Sequence, residues 1–312
     1  MSLPIAMTDL LILLAAVPLA ALGGEAFLKG VLGFSAWMRL PKLLVATTLA
    51  AFATSSPELT VSSLAAWEGK PEIGFGNVLG SNVLNISLTL GLVLVFGALT
   101  ARFSDIRRDY LLALSIPVLT LILSLDGMLS RGEGLLLLAL FALWMGFAVR
   151  QALVHRRATV ADENSTASPL HAMLFMAVGL VSLILAGHLF VTGASGIAVA
   201  LGVNAFVIGA LVVAIGTTLP ELVTTLLARW RGHDDVGLGL LIGSNLFNGL
   251  AIVGVAASIH PIHAHVNEVA TALVFGALSI LLILPRAGVI PRWRGMALLA
   301  TYAGFVTATL II

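Results

Sequence analysis

The chain is built of long apolar runs separated by short polar breaks. A helix needs about 20 apolar residues to cross the hydrocarbon of a bilayer. Ten runs meet that need, at 8–28, 43–67, 73–98, 109–126, 134–153, 170–192, 203–229, 236–258, 267–285 and 294–311. Backbone in lipid must satisfy its own hydrogen bonds. The pattern therefore predicts an all-α polytopic membrane protein with about ten transmembrane helices. One polar stretch is longer than a turn, His155-Arg156-Arg157 through Ser168-Pro169. It reads as a flexible linker, 155–169, too short to hold a domain. It separates a first half, 1–154, from a second, 170–312, with five spans in each.

The polar residues inside the spans recur. Adding 163 to a position in the first half finds its counterpart in the second, without a gap from Phe27/Phe190 to Gly91/Gly254. Between 51 and 91, 16 of 41 pairs are identical, among them Pro57/Pro220, Glu58/Glu221, Trp67/Trp230, Ser81/Ser244, Asn82/Asn245 and Asn85/Asn248. Membrane composition alone matches Leu with Leu, but it does not align proline, glutamate, tryptophan and three polar residues in register. The two halves are thus repeats, with their motifs at about 43–98 and 203–258. Five spans is an odd number, so the second repeat enters the membrane from the opposite side. Secondary transporters built from two inverted five-helix repeats bind their substrate at the repeat interface, near the midplane.

Composition and charge sharpen this picture. The chain has 312 residues, of which 59% are hydrophobic and 10% charged, against roughly 25% charged in soluble domains. The net charge of +1 comes without a basic cluster able to track a phosphate backbone, so nucleic acid is not an expected partner. There is no cysteine, hence no disulfide, thiolate metal site or thiol nucleophile. Met1–Asp9 carries no basic residue and reads as the lead into a first span rather than a cleaved signal. The ten-span count places 14 of the 16 Lys and Arg on one side and only Lys70 and Arg131 on the other. By the positive-inside rule the first side is cytoplasmic. Both termini are then expected outside and the linker inside, in a cell (inner) membrane.

The chemistry lies in Ala51-Phe52-Ala53-Thr54-Ser55-Ser56-Pro57-Glu58 and its repeat, Ala214 to Glu221. A carboxylate at membrane depth is costly and marks function. Pro57 lacks an N–H and clashes with the carbonyl of residue 53. A kink or unwound turn is expected at 53–57 and again at 216–220, with the carbonyls near Ala51–Ala53 freed toward a cavity. Thr54 and Glu58 are four apart and share a helix face, as do Thr217 and Glu221. Ser55 and Thr218 lie one residue further round. Ser81 and Asn85 repeat the spacing in the next span, as do Ser244 and Asn248, while Gly76, Gly80, Gly239 and Gly243 allow close helix approach. The set holds two carboxylates, several hydroxyls, two amides and backbone carbonyls, with neither sulfur nor imidazole. All-oxygen sites suit Ca²⁺ or Na⁺ rather than zinc or copper. Two carboxylates are neutralised by one Ca²⁺ or two Na⁺. An empty site strands both charges in low dielectric, which disfavours an occluded state. Such a carrier exchanges ions rather than passing one alone.

These motifs, Thr54-Ser55-Ser56-Pro57-Glu58-Leu59 with Gly80-Ser81-Asn82-Val83-Leu84-Asn85, and Gly216-Thr217-Thr218-Leu219-Pro220-Glu221-Leu222 with Gly243-Ser244-Asn245-Leu246-Phe247-Asn248, resemble the two α-repeats of the cation/Ca²⁺ exchanger superfamily, in its prokaryotic Na⁺/Ca²⁺ exchanger branch. The resemblance covers all ten spans. It implies a secondary active antiporter that exchanges Ca²⁺ for Na⁺ by alternating access, with the ions as cargo, no cofactor and no protein partner. It also implies the ligand set. Glu58 and Glu221 would be shared by Ca²⁺ and Na⁺, and Thr54 and Thr217 would join the Ca²⁺ site. Ser55, Thr218, Ser81 and Ser244, with the carbonyls of Ala51 and Ala214, would complete flanking Na⁺ sites. Asn85 and Asn248 would line the middle. The spans at 8–28 and 170–192 would be sliding gate helices. Some relatives carry Asp at one of the two middle positions, whereas both are Asn here, which leaves the ion and proton stoichiometry open. Ala53 stands opposite Gly216, and Asn77 opposite Leu240. The short linker has no room for the cytosolic Ca²⁺-sensing domains of animal relatives.

Other readings are weaker. A glutamate in a dry site can carry a proton, so the same fold can couple Ca²⁺ to H⁺ or K⁺. A passive cation channel is opposed by the paired proline breaks. A hydrolase needs a midplane histidine, and His188, the candidate within a span, has no motif. An enzyme is not expected. Glu25 lies four before Lys29 and reads as a local ion pair. His260, His263 and His265 read as solvated loop residues, Trp67 and Trp230 as interfacial anchors, and Asn82 and Asn245 as braces between helices.

Overall fold

Apolar runs of this length cannot show by themselves which helices meet lipid and which meet each other. The computed structural model does so for residues 7–158, 168–200, 212, 214–264 and 266–311. Over these residues each predicted span is helical along most of its length. Residues 159–167 of the expected linker, most of the start of the 203–229 span and His265 lie outside the described residues. The helix Arg131–Ala158 runs into the stretch read as linker.

The helices that carry the motifs form the centre. Apolar windows of Pro71–Val95 and Asp234–Ile259 are 72% and 94% buried, whereas those of Arg131–Arg156, Pro169–Ala200 and Trp293–Ile311 are each 22% buried. The outer helices turn their apolar faces outward, as a lipid-facing surface requires. The core joins both halves, through Leu90, Val93 and Leu94 of the first and Leu241, Leu246, Leu250 and Ile252 of the second.

Two helices of 32 residues, Met7–Met38 and Pro169–Ala200, exceed their predicted spans and lie against each other. Gly23 faces Ser182, Gly30 faces Met176 and Gly33 faces Ala172. The partner numbers fall as the first rise, so the pair is antiparallel, as an inverted repeat demands. A side chain at Gly30 or Gly179 would strike the backbone of the facing helix. Small residues here let two backbones meet where no hydrophobic force drives helix association.

Short ribbons tie the halves together at both ends. Leu99–Thr100 pairs antiparallel with Val289–Ile290, and Met128–Leu129 with Ile262–His263. The ten-span count places each pair of loops on a common side, and the pairing agrees with it. Arg229 binds Asp234 at 2.9 Å, and Asp234 accepts the Thr100 N–H at 3.1 Å, beside the first ribbon. Glu72 accepts the His263 N–H at 3.3 Å, at the second.

Close approach also sets the seam between the halves. Gly243 sits directly on the backbone of Thr47, and Gly239 on Leu43. Residues 206 and 210, which would face Gly76 and Gly80 by the repeat relation, lie outside the described residues. Gly243→Val is expected to cost about 1–3 kcal/mol through overpacking. Thermal unfolding in detergent reads this directly, with Gly146→Val as control because a Cβ at Gly146 meets nothing within 4 Å. Equal melting temperatures for the two variants would contradict the seam.

Candidate cation-binding site

Both motif prolines start helices. The chain leaves helical geometry at one residue in each repeat, Ser55 (φ −85°, ψ 7°) and Thr218 (φ −88°, ψ 4°). New helices, Ser56–Trp67 and Leu219–Trp230, begin immediately, with Pro57 and Pro220 as their second residues. A missing N–H costs nothing there, because first-turn N–H groups have no intrahelical acceptor. The breaks stand where they were expected, but they are tighter than an unwound turn. The Ala51 carbonyl accepts the Ser55 N–H at 3.0 Å and the Thr54 hydroxyl at 3.3 Å. The Ala53 carbonyl accepts the Ser56 hydroxyl at 2.7 Å. The Ala214 carbonyl accepts the Thr218 N–H at 3.2 Å and the hydroxyls of Thr217 and Thr218 at 3.1 and 3.0 Å. The Ala51 and Ala214 carbonyls thus keep their helical N–H partners and are not freed as expected, while the Ala53 carbonyl, which Pro57 leaves without a helical donor, takes the Ser56 hydroxyl instead.

Glu58 and Glu221 fall in the first turns of the new helices, where the aligned N–H dipoles favour negative charge. They are 1% and 0% exposed. Thr54, Ser55, Ser81, Thr218, Ser244, Asn85, Asn248 and Ala51 are buried with them, while Thr217 and Ala214 are half-buried. Two of the contacts cross between repeats, Ser55 to Glu221 and Thr218 to Ser81. Ser55 donates to Glu221 Oε1 at 3.1 Å, and Ser244 to the same oxygen at 3.2 Å. Thr218 donates to Ser81 at 3.3 Å. Among the described residues, no Lys, Arg or His pairs with either carboxylate.

The asparagines form a two-fold brace. Asn85 Nδ2 donates to Asn245 Oδ1 at 3.1 Å, and its counterpart Asn248 Nδ2 donates to Asn82 Oδ1 at 3.0 Å. Asn245 Nδ2 returns a bond to the Asn82 carbonyl at 3.0 Å, and Asn82 Nδ2 reaches the Asn245 carbonyl at 3.4 Å. With their amino groups engaged, Asn85 and Asn248 keep their Oδ1 atoms buried and unpartnered. Glu58 Oε2 and Glu221 Oε2 are in the same condition. Buried polar atoms are rarely left unbonded. Four such oxygens, two from each repeat, lie in residues of the predicted site, and oxygens of this kind are the ligands that hard cations take.

Two features escaped the sequence reading. Asn85 and Asn248 each lie at the second residue of a π-helical segment, Leu84–Leu90 and Phe247–Ile252, and a third spans Ala46–Ala50. Such widened turns recur at functional sites, and composition carries no signal for them beyond a repeated polar residue in mid-helix. Glu25 also does more than pair with Lys29 at 3.4 Å, since Arg231 of the second repeat binds it at 2.9 Å. Trp67 and Trp230, read from the sequence as interfacial anchors, are 77% and 64% exposed. His260 contacts the Pro261 carbonyl, and His263 lies in a ribbon.

The family described as sodium/calcium exchanger protein matches residues 8–150 and 171–311, both halves of the chain. The inner membrane protein YrbG of Escherichia coli is 32% identical over 71% of this chain and 71% of its own length. The sodium/calcium exchanger MaX1 of Methanosarcina acetivorans is 25% identical over 97% of this chain and 99% of its own. Among solved structures, the sodium-calcium exchanger NCX_Mj soaked with 2.5 mM Na⁺ and 0.1 mM Ca²⁺ superposes with a TM-score of 0.83 at 26% identity. The superposition covers 96% of this chain and 98% of that one.

Proposed function

The chain belongs to the sodium/calcium exchanger protein family, a family of membrane ion exchangers rather than enzymes, and from that premise we propose that it moves Ca²⁺ against Na⁺ by alternating access at the buried site between its repeats. The observation that carries this reading is the set of unpartnered oxygens of Glu58, Glu221, Asn85 and Asn248. Glu58 and Glu221 supply the charge, and the two amides supply neutral ligands. Thr54 and Thr217 join the Ca²⁺ position, and Ser55, Thr218, Ser81 and Ser244 with the Ala51 and Ala214 carbonyls provide flanking positions for Na⁺. The carboxylate pair balances one Ca²⁺ or two Na⁺, so either load lets the site close to water. Without cargo, two like charges remain in a dry interior, and the crossing is blocked. The repeats extend over 1–154 and 170–312, joined by the linker 155–169. The arginine- and lysine-rich side faces the cytoplasm and both termini lie outside. The inner membrane of a bacterial or archaeal cell suits this arrangement, in keeping with the name of the Escherichia coli relative.

The test is ⁴⁵Ca²⁺ uptake into proteoliposomes under separate Na⁺, K⁺ and pH gradients. An outward Na⁺ gradient at constant pH is expected to drive uptake. Uptake driven by a pH or K⁺ gradient with Na⁺ absent would reassign the coupling ion. Ca²⁺ currents without counter-transport would replace the exchanger with a channel.

A further inference from the structure

The two ends of the bundle are in different states. At one end the helix Met7–Met38 packs on Leu219–Trp230, with Gly24 against Val223 and Leu227. Beside that contact Glu25 holds Arg231 through two bonds, Oε1 to Nη2 at 2.9 Å and Nε to Oε2 at 3.1 Å, with Lys29 at 3.4 Å. The repeat relation carries this arrangement to the other end. Gly24 becomes Gly187, Val223 and Leu227 become Thr60 and Leu64, Glu25 becomes His188, and Arg231 becomes Glu68. Lys29 becomes Thr192.

The acid and the base have exchanged places, and the pair remains complementary. In the structure this second pair is apart. Pro169–Ala200 makes no comparable contact with Ser56–Trp67. Gly187 rests instead on the Gly216 carbonyl and Leu219 of its own half. His188 and Glu68 are exposed, and neither side chain has a partner among the described residues. Glu68 closes its helix with φ −78° and ψ 2°, as Arg231 closes its own with φ −88° and ψ 1°, so the backbone positions are equivalent.

We propose that His188 and Glu68 are gating residues, the second end of a two-ended latch whose first end is Glu25–Arg231. When the gate helices shift and the first end parts, His188 closes on Glu68 beside Gly187, as Glu25 now closes on Arg231 beside Gly24. The latch rests on the alternating-access reading above but not on the identity of the ions. Inverted repeats exchange conformations when access changes sides, so contacts formed in one repeat foretell contacts of the other.

The chain has no cysteine, so engineered thiols report alone. His188→Cys/Glu68→Cys and Glu25→Cys/Arg231→Cys are made in the full chain. An arginine–glutamate pair holds its Cα atoms further apart than a disulfide spans, so the thiols are bridged with a bifunctional maleimide in liposomes. Bridged chains take up one reagent and unbridged chains two, which intact mass separates. Both pairs are expected to bridge, with Na⁺ and Ca²⁺ shifting their yields in opposite directions, and each bridge is expected to stop transport. A first pair that bridges beside a second that never does, under any ion condition, overturns the latch. Bridging of both pairs in a protein that fails to exchange Na⁺ for Ca²⁺ upholds the latch and overturns the ion assignment. Charge exchange gives an independent reading. His188→Glu is expected to slow exchange by up to about fivefold, the scale of an exposed ion pair. Glu68→Arg added to it is expected to restore the rate. Failure of the double variant to recover counts against pairing.

Discussion

Glu58→Gln is expected to abolish Na⁺-driven Ca²⁺ uptake while leaving the protein folded, and Glu221→Gln is expected to do the same. Each substitution keeps the shape and an acceptor oxygen but removes one of two buried negative charges. Ca²⁺ in such a site retains an uncompensated positive charge in low dielectric. Removing one member of a buried ionic set costs about 3–5 kcal/mol, which corresponds to a loss of about 100-fold to several-thousand-fold in Ca²⁺ affinity. The effect on the ion-free protein has the opposite sign. Two carboxylates without a counter-charge repel, so the ion-free variant unfolds no earlier than the wild type. The measurement is a pair of melting curves with and without Ca²⁺, read beside flux. A Ca²⁺-induced rise in melting temperature that survives either substitution would remove these glutamates from the site.

Asn245→Leu carries the second large effect, although Asn245 offers no free oxygen to a cation. Its Oδ1 holds Asn85 Nδ2 at 3.1 Å, and its Nδ2 holds the Asn82 carbonyl at 3.0 Å. A leucine of similar size breaks both and leaves the buried Asn85 amino group unbonded, at about 1–3 kcal/mol. The Asn85 amide is then free to turn its unpartnered oxygen away. Both thermal stability and Ca²⁺ affinity are expected to fall. Asn82→Leu should mirror the effect through Asn248. The double variant should cost less than the sum, because the four asparagines form one network. A loss of stability with unchanged Ca²⁺ affinity would make the brace purely architectural.

Much of this protein is legible in its sequence because a membrane makes polar residues expensive. Glu58, Asn85 and their counterparts stand out against apolar neighbours, and the 163-residue register pairs them before any coordinates exist. The same solvent hides other things. Lipid-facing and protein-facing helices are equally apolar, so the central place of Pro71–Val95 and Asp234–Ile259 could not be told from the outer place of Arg131–Arg156. Proline chemistry located the breaks at 55 and 218 but not that Ser56 would take the released Ala53 carbonyl, nor that Thr54 and Thr217 would add a bond to carbonyls already held by the helix. The π segments at 84–90 and 247–252 depend on how far each helix must turn to present its asparagine across the seam. That is a property of the assembled bundle, not of a local pattern. Spacing also found the Glu25–Lys29 pair and missed Arg231, which lies 206 positions away and meets Glu25 only after folding.

The two ribbons bear on where such a machine can bend. Leu99–Thr100 is stitched to Val289–Ile290 at one face and Met128–Leu129 to Ile262–His263 at the other, each stitch running from one half to the other. Halves fastened at both faces cannot swing apart like a clamshell without tearing a stitch. Under the alternating access proposed above, the inner bundle would serve as a stator, and the glycine-lined pair Met7–Met38 and Pro169–Ala200 as the shuttle that travels across it. Distance probes set across the two stitches should stay still through a transport cycle, while a probe carried on either long helix records the stroke.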